Sequence, residues 1–210
     1  MATIDDETGD ARRPAEGLTA DGAGEGPDWG SAAVYTIGHS TRTQAELIDL
    51  LRTHGVMTLA DVRRMPRSRR NPQFNEDALA EALPAAGIAY VHLPRLGGLR
   101  RGVDGPSPNG GWRNASFRAY ADYMQTADFA EGLDDVRRLA AAGPVALMCA
   151  EAVPWRCHRS LIADALVARG VDVREIASGG RATPHHLPSF ARVDGTRVTY
   201  PAPPVDGDHP

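Results

Sequence analysis

Residues 145–166 read "VALMCAEAVPWRCHRSLIADAL". The run from Val145 to Ala150 is almost continuously apolar, as a strand buried on both faces requires. Leu161, Ile162, Ala165 and Leu166 then recur at helical spacing. A doubly buried strand running into a helix is half of a βαβ unit, so this stretch argues for a parallel sheet with helices on its faces.

The same grammar repeats outward from it. Ala33–Ile37, Met57–Val62 and Ile88–Leu93 are further buried strands, and Val171–Ile176 alternates, so it is expected at a sheet edge. Thr43 and Glu46 form a capping-box pattern before Leu47, Ile48, Leu50 and Leu51, and Gly55 closes that helix. Asn75 is placed to cap the next helix, with Phe74 and Leu79 as a hydrophobic staple; Pro84 keeps it short. Phe117, Tyr120, Ala121 and Met124, and then Phe129, Leu133, Val136 and Leu139, give two more apolar faces, read as core contacts. The expected fold class is therefore α/β: a single domain with a mostly parallel five-stranded sheet and flanking helices, a Rossmann-like three-layer sandwich. The commonest doubly wound order, 3-2-1-4-5, would set strands 1 and 4 side by side at the switch point.

Composition narrows the function classes. All 23 basic residues are arginine, which excludes a P-loop lysine, a Schiff-base lysine and the usual pyridoxal phosphate chemistry. The longest apolar runs fall far short of a membrane span, and residues 1–30 lack the apolar stretch of a secretory signal, so no membrane partner and a cytoplasmic location are expected. Those thirty residues carry eight acids against Arg12 and Arg13, while the chain as a whole has a net charge of -4, leaving the remainder mildly basic. Residues 1–30 are expected to be a disordered acidic tail, 31–200 the domain and 201–210 a flexible C-terminal tail. Two cysteines do not make a disulfide scaffold, so both thiols are read as reduced.

Ligands of open α/β sheets bind beyond the carboxyl ends of the strands. After strand 1 comes "GHST" (38–41), after strand 2 "DVRRMPRSRRNPQF" (61–74), after strand 3 "LPRLGGLRRG" (93–102) with His92 just before it, and after strand 4 "EAVPWRCHRS" (151–160). All four are loaded with His, Asp, Glu, Cys or Arg, whereas the opposite edge carries little beyond glycine and ordinary polar residues. A scaffold has no reason for that asymmetry.

The motifs "YTIGHS", "LADVRRMPRSRRNPQF", "YVHLPRLGG", "FRAYADYM" and "LMCAEAVPWRCHRSLIADAL", in this order over about residues 34–178, resemble the DUF488 family, a group of bacterial and archaeal proteins named for its unknown function. The resemblance implies a fold, an intracellular setting and a shared pocket, and no reaction.

Each motif has a bland reading beside the chemical one. His39 and Ser40 sit where strand 1 turns into its helix, where a hydroxyl can cap and an imidazole can bond backbone. Asp61 and Arg63 bracket the end of strand 2, either as a structural ion pair or as a carboxylate that orients substrate beside an anion-holding arginine. Arg63 to Arg70 hold five arginines in eight residues; guanidinium forks suit phosphate and carboxylate, with Arg63, Arg67 and Ser68 the candidates. Gly97, Gly98 and the segment from Arg100 to Gly111, anchored by Trp112 and Arg113, read as a cover.

A phosphatase-like loop needs Cys, five residues, then Arg; from Cys149 the arginine at 156 comes one place late and Trp155 occupies the position. Metal binding by Cys149, Cys157 and His158 is not expected, because structural zinc sites prefer ligands two to four residues apart and the chain has only two thiols; no cofactor is expected either. Cys149 suits a buried strand end. Cys157, His158 and Arg159 begin a helix, where backbone N–H groups attract anions. Glu151, beside this positive helix start and opposite "GHS", is placed as general base, general acid or nucleophile.

These observations point to an enzyme. Catalytic candidates are Glu151, Asp61, His39 and Cys157. Ligand-binding candidates are Ser40, Arg63, Arg67, Ser68, His92, Gly97, Gly98, Cys149, His158 and Arg159. The expected partner is an anionic small molecule, a nucleotide or phosphorylated metabolite, undergoing hydrolysis or group transfer. Two alternatives stay open: a non-catalytic nucleic-acid or nucleotide binding module using the arginine loop, and a thiol redox protein using Cys149 and Cys157.

Overall fold

In the computed structural model, which describes residue 29 and residues 33–102, 105–177 and 179–203, the apolar runs become strands and the periodic stretches helices. Their order is β1 (Val34–Gly38), α1 (Gln44–Thr53), β2 (Thr58–Asp61), α2 (Glu76–Ala85), β3 (Ala89–His92), α3 (Ala115–Tyr123), α4 (Ala127–Ala140), β4 (Val145–Cys149), α5 (Arg159–Val167), β5 (Val173–Ile176), β6 (Ala182–Pro184), β7 (Arg192–Asp194) and β8 (Arg197–Thr199). The expected tails, apart from Trp29 and residues 201–203, lie outside the described residues.

Local chemistry sets the helix boundaries. The Glu46 N–H donates to the Thr43 hydroxyl at 3.2 Å and the Thr43 N–H to the Glu46 carboxylate at 2.6 Å, completing the capping box of α1. At its other end Gly55 takes a φ of 65°, the Val56 N–H reaches back to the Leu51 carbonyl and the Gly55 N–H to Arg52, a closure that few residues other than glycine adopt. The same pair of bonds ends α2 and α5, so three helices are turned straight back into strands. Asn75 starts α2 by its extended backbone only; its Oδ1 accepts the Ser68 N–H at 2.7 Å instead.

The sheet order is β3-β2-β4-β1-β5-β6. β1 and β4 do lie side by side, all neighbours from β3 to β5 are parallel, and β6 pairs antiparallel with β5. Three expectations are thereby corrected. The sheet has six strands and is mixed; the order is not 3-2-1-4-5, because β4 inserts between β2 and β1; and β5 is not the edge, because β6 covers it, with Pro184 on the outermost strand where a missing N–H costs little. A separate hairpin, β7–β8, follows. Its Asp194-Gly195 dipeptide is a hairpin signal that periodicity alone passed over.

β4 is buried at every position and alternates between two cores. Val145, Leu147 and Cys149 pack with Phe129, Leu133 and Val136 of α4 and Leu161, Ile162 and Leu166 of α5. Ala146 and Met148 pack with Leu47 and Leu51 of α1 and Leu79 and Leu83 of α2. This is the three-layer arrangement, and the period of two along β4 sends the last residue, Cys149, to the α5 side.

The C-terminal segment is tied to α5 by a buried polar network. His185 bonds Asp164 at 2.6 Å through Nε2 and Glu175 at 2.7 Å through Nδ1, and the Tyr200 hydroxyl donates to Asp164 at 2.5 Å. Burial opposes protonation of His185, but the two carboxylates outweigh it and raise its pKa from 6.5 to about 9. The protonated imidazole is therefore favoured in the folded chain. Its contribution, on the order of 3 kcal/mol, is complete below pH about 6.5 and is lost as pH rises through about 9. Urea denaturation across that window should show the fall in wild type and a flat profile in His185→Gln.

Candidate functional site

Loops after β1, β2, β3 and β4, with the start of α3, enclose a cleft of about 570 Å³ at the carboxyl edge of the sheet. Of the residues singled out in the sequence, His39, Ser40, Arg63, Arg67, Ser68, Gly98, Cys149, Glu151, Cys157 and His158 line it. Asp61, His92, Gly97 and Arg159 stand behind this wall and hold it in place.

Asp61 is 0% exposed and serves as an anchor. Arg63 grips it through Nε (2.8 Å to Oδ1) and Nη2 (2.5 Å to Oδ2), while the Tyr90 hydroxyl donates to Oδ2 at 2.9 Å. Arg63 Nη2 also donates to the Phe74 carbonyl at 2.7 Å, and Nη1 reaches His39 Nε2 at 3.4 Å. Of the five guanidinium N–H groups, that leaves one on Nη1 for the cleft. The structural ion-pair reading of Asp61 and Arg63 is thus realised, with one donor of Arg63 left over.

His39 is a neutral ring in one tautomer. Its Nδ1–H donates to the Ser40 carbonyl at 2.9 Å, its face stacks on Phe74 at 4.3 Å, and burial, with the nearby Arg63 charge, lowers its pKa. His92 Nε2 bonds the Arg63 carbonyl at 2.8 Å, bracing the β2 loop from outside the cleft. Ser68 is engaged in its own turn, its hydroxyl accepting the Asn71 N–H at 3.1 Å.

The two cysteines are free and buried. Cys149 Sγ lies 4.0 Å and Cys157 Sγ 3.8 Å from His158 Nδ1, and the three ligand atoms all lie within 4.8 Å of one another. The sequence argued against such a cluster because structural zinc ligands prefer a separation of two to four residues, which Cys149 and Cys157 exceed, and because the chain has only two thiols. The 3₁₀ turn Pro154–Arg156 folds that separation back, so Cys157 and His158 meet the end of β4. His158 Nε2 bonds the Val62 carbonyl at 2.9 Å, which puts the proton on Nε2 and turns the Nδ1 lone pair toward the sulfurs. The Cys149 thiol is held well below the usual thiol range by a hydrogen bond from the Cys157 thiol and by the Arg159 charge, against burial; Cys157 is pushed up by its bond to Cys149 and by burial. Cys149 is therefore the acceptor of the pair.

Arg159 is 2% exposed and its Nη1 donates to the Glu151 carbonyl at 2.9 Å, while its Nε has no partner among the described residues. That carbonyl also explains Gly38: a Cβ there would sit 1.8 Å from it. Gly97 and Gly98 have comparable reasons. A Cβ on Gly97 would meet the Arg64 backbone at 2.8 Å, and one on Gly98 would meet His158 Nδ1 at 2.8 Å.

A model described as "Domain of unknown function DUF488" matches residues 43–166, more than half of the chain. The chain belongs to the DUF488 family. No curated protein and no solved structure is found to match it. The DUF488 match takes in the β2, β3 and β4 loops of the cleft and ends within α5, just past Asp164, while Glu175, His185, Tyr200 and the β7–β8 hairpin follow it in the sequence.

Several lining residues escaped the sequence reading. Phe117 and Tyr120 come from the helix face read as core alone, and Ser116 beside them was not singled out; Tyr120 is core, but its hydroxyl donates to the Leu96 carbonyl at 2.8 Å and its ring lies 5.0 Å from that of His158. A polar tip on an apolar stripe was the available signal. Arg64, Met65, Asn71, Leu99 and Arg156 also line the cleft. Among the described residues, Ser40 (φ 51°) and Leu99 (φ 57°) are the non-glycine residues with positive φ, and both are in its wall, where backbone strain tends to collect at functional sites. The Arg100–Gly111 segment, expected as a cover, contributes no lining residue to the cleft among the described residues; Asn109 pins it, its amide donating to Asp122 at 2.7 Å and its Oδ1 accepting the Tyr200 N–H at 3.0 Å.

Asp61→Ala leaves a buried guanidinium without its counter-ion and is expected to cost about 3–5 kcal/mol in urea denaturation. Gly38→Ala should cost at least the roughly 1–3 kcal/mol of an overpacked site, read in the same assay.

Proposed function

We propose that the protein is an enzyme that binds an anionic small molecule, a nucleotide or phosphorylated metabolite, in this cleft and catalyses its hydrolysis or the transfer of a group from it. The observation that carries the reading is the charge of the lining: beyond Arg63, which Asp61 neutralises, it holds Arg64, Arg67 and Arg156 against a single carboxylate, Glu151. Arg64, Arg67 and Arg156 have no hydrogen-bond or ion-pair acceptor among the described residues, and three guanidinium groups around one acid favour a bound anion. The apolar faces of Phe117, Leu99 and Met65 suit a ring or carbon skeleton attached to it.

Glu151 is the lone acid–base carboxylate at the reacting end. In hydrolysis it takes a proton from water as the oxygen bonds to the electrophilic centre, and the displaced group departs with the electron pair of the broken bond. A purely nucleic-acid-binding role is less well supported, because Arg63 is committed to Asp61 and Arg64, Arg67 and Arg156 line a concave cleft. The free thiols of Cys149 and Cys157, drawn together at the same place, favour thiol redox chemistry as the second reading.

Calorimetric titration with inorganic phosphate and mononucleotides, with depletion of a metabolite pool as the activity readout, tests the proposal. The double change Arg67→Ala and Arg156→Ala should weaken anion binding by more than about 10-fold, or about 1.4 kcal/mol. Glu151→Gln should bind as wild type and lose turnover. Wild-type turnover in Glu151→Gln, or salt-steep binding of generic DNA without mononucleotide binding, would sink the reading.

A further inference from the structure

We propose that Cys149, Cys157 and His158 form a zinc site, with Cys149 Sγ, Cys157 Sγ and His158 Nδ1 as ligands and a fourth position open to the cleft. Tetrahedral zinc with Zn–S of about 2.3 Å and Zn–N of about 2.0 Å places sulfur and nitrogen about 3.6 Å apart and the two sulfurs about 3.8 Å apart. The observed sulfur–nitrogen separations are 3.8 and 4.0 Å, and no pair of ligand atoms exceeds 4.8 Å. Closing the site around an ion needs shifts of tenths of an ångström for the imidazole and at most about 1 Å between the sulfurs.

Three further features fit. A zinc-bound histidine normally donates its other N–H to a carbonyl or carboxylate, which fixes the tautomer and ring orientation; His158 Nε2 already bonds the Val62 carbonyl at 2.9 Å. Gly98 packs where any Cβ would press on Nδ1, at 2.8 Å, so the ligating nitrogen is left uncrowded. All three ligands line the cleft together with Glu151. Three protein ligands with one position exposed to substrate is the arrangement of catalytic rather than structural zinc. Hydrolytic zinc sites with two sulfur ligands and one imidazole use a glutamate that is not a ligand as their acid–base group. Zinc here would lower the pKa of a water facing the anion, and Glu151 would accept its proton.

The site itself stands on the cluster alone; its role in hydrolysis rests on the function proposed above, and the measurement separates the two. The full-length, tag-free chain is purified under reductant, its zinc content measured, and the metal-free protein titrated with Co²⁺. The expected result is one equivalent of metal, thiolate-to-cobalt charge-transfer bands with tetrahedral visible bands, and two thiols that react with an Ellman-type reagent only after chelator is added. Cys149→Ser, Cys157→Ser and His158→Gln should each weaken Co²⁺ binding by more than about 100-fold, beyond the usual cost of an outer-shell change. Glu151→Gln should leave it within a few-fold. No metal bound, octahedral oxygen-type spectra, freely reactive thiols in the metal-loaded wild type, or a Cys149–Cys157 disulfide under reductant would overturn the site without depending on any variant folding. Metal binding without anion binding would instead keep the site and remove the proposed function.

Discussion

Three consecutive residues at the end of β2 hold the functional edge of the molecule together. The buried Asp61 carboxylate takes the Arg63 fork; the Val62 carbonyl accepts His158; the Arg63 carbonyl accepts His92. Through them the loops after β1, β3 and β4 are all referenced to one short stretch, since Arg63 also touches His39 and the Phe74 carbonyl. Isolated, a buried ion pair is weak support for stability. This one is different in kind, because the pair also binds the Tyr90 hydroxyl of β3, His39 after β1 and the Phe74 carbonyl, and its removal would leave several buried groups unsatisfied at once.

This explains why the cleft can be electropositive and still well ordered. The arginine nearest the sheet is neutralised and immobilised by Asp61, so it builds the wall. Arg64 and Arg67 further along the same loop and Arg156 on the turn after β4 have no side-chain acceptor among the described residues. Burial of His39 as a neutral ring and exposure of Glu151 at the rim divide the titratable groups between frame and mouth. The backbone strain at Ser40 and Leu99 falls in the wall of the same opening.

Much of this was legible locally. The capping box at Thr43, the closure at Gly55, the buried strand at Val145 and the asymmetric loading of one sheet edge all follow from neighbouring residues, and the structure bears them out. The role of Asp61 could not be settled that way, since an ion pair and a substrate-orienting pair look alike until Tyr90, His39 and Phe74 are seen around it. Tyr120 was placed correctly in the core, yet its wall position depends on the Leu96 carbonyl arriving from another loop. The Cys149, Cys157 and His158 cluster ran against the spacing expected of zinc ligands, because that expectation assumes ligands carried on one tight turn.

What the sequence by itself determined is the alternation of strand and helix, the faces each buries, and the gathering of reactive side chains at the carboxyl ends of the strands. These depend on contacts within a few residues and on the periods of 2 and 3.6 that any reader can count. Only the tertiary structure decided that β4 lies between β2 and β1, that a sixth strand covers β5, and that two thiols and an imidazole converge beside Glu151. Strand order and cross-loop contacts are set by the packing of whole layers against each other, and no local stretch of chain carries that information.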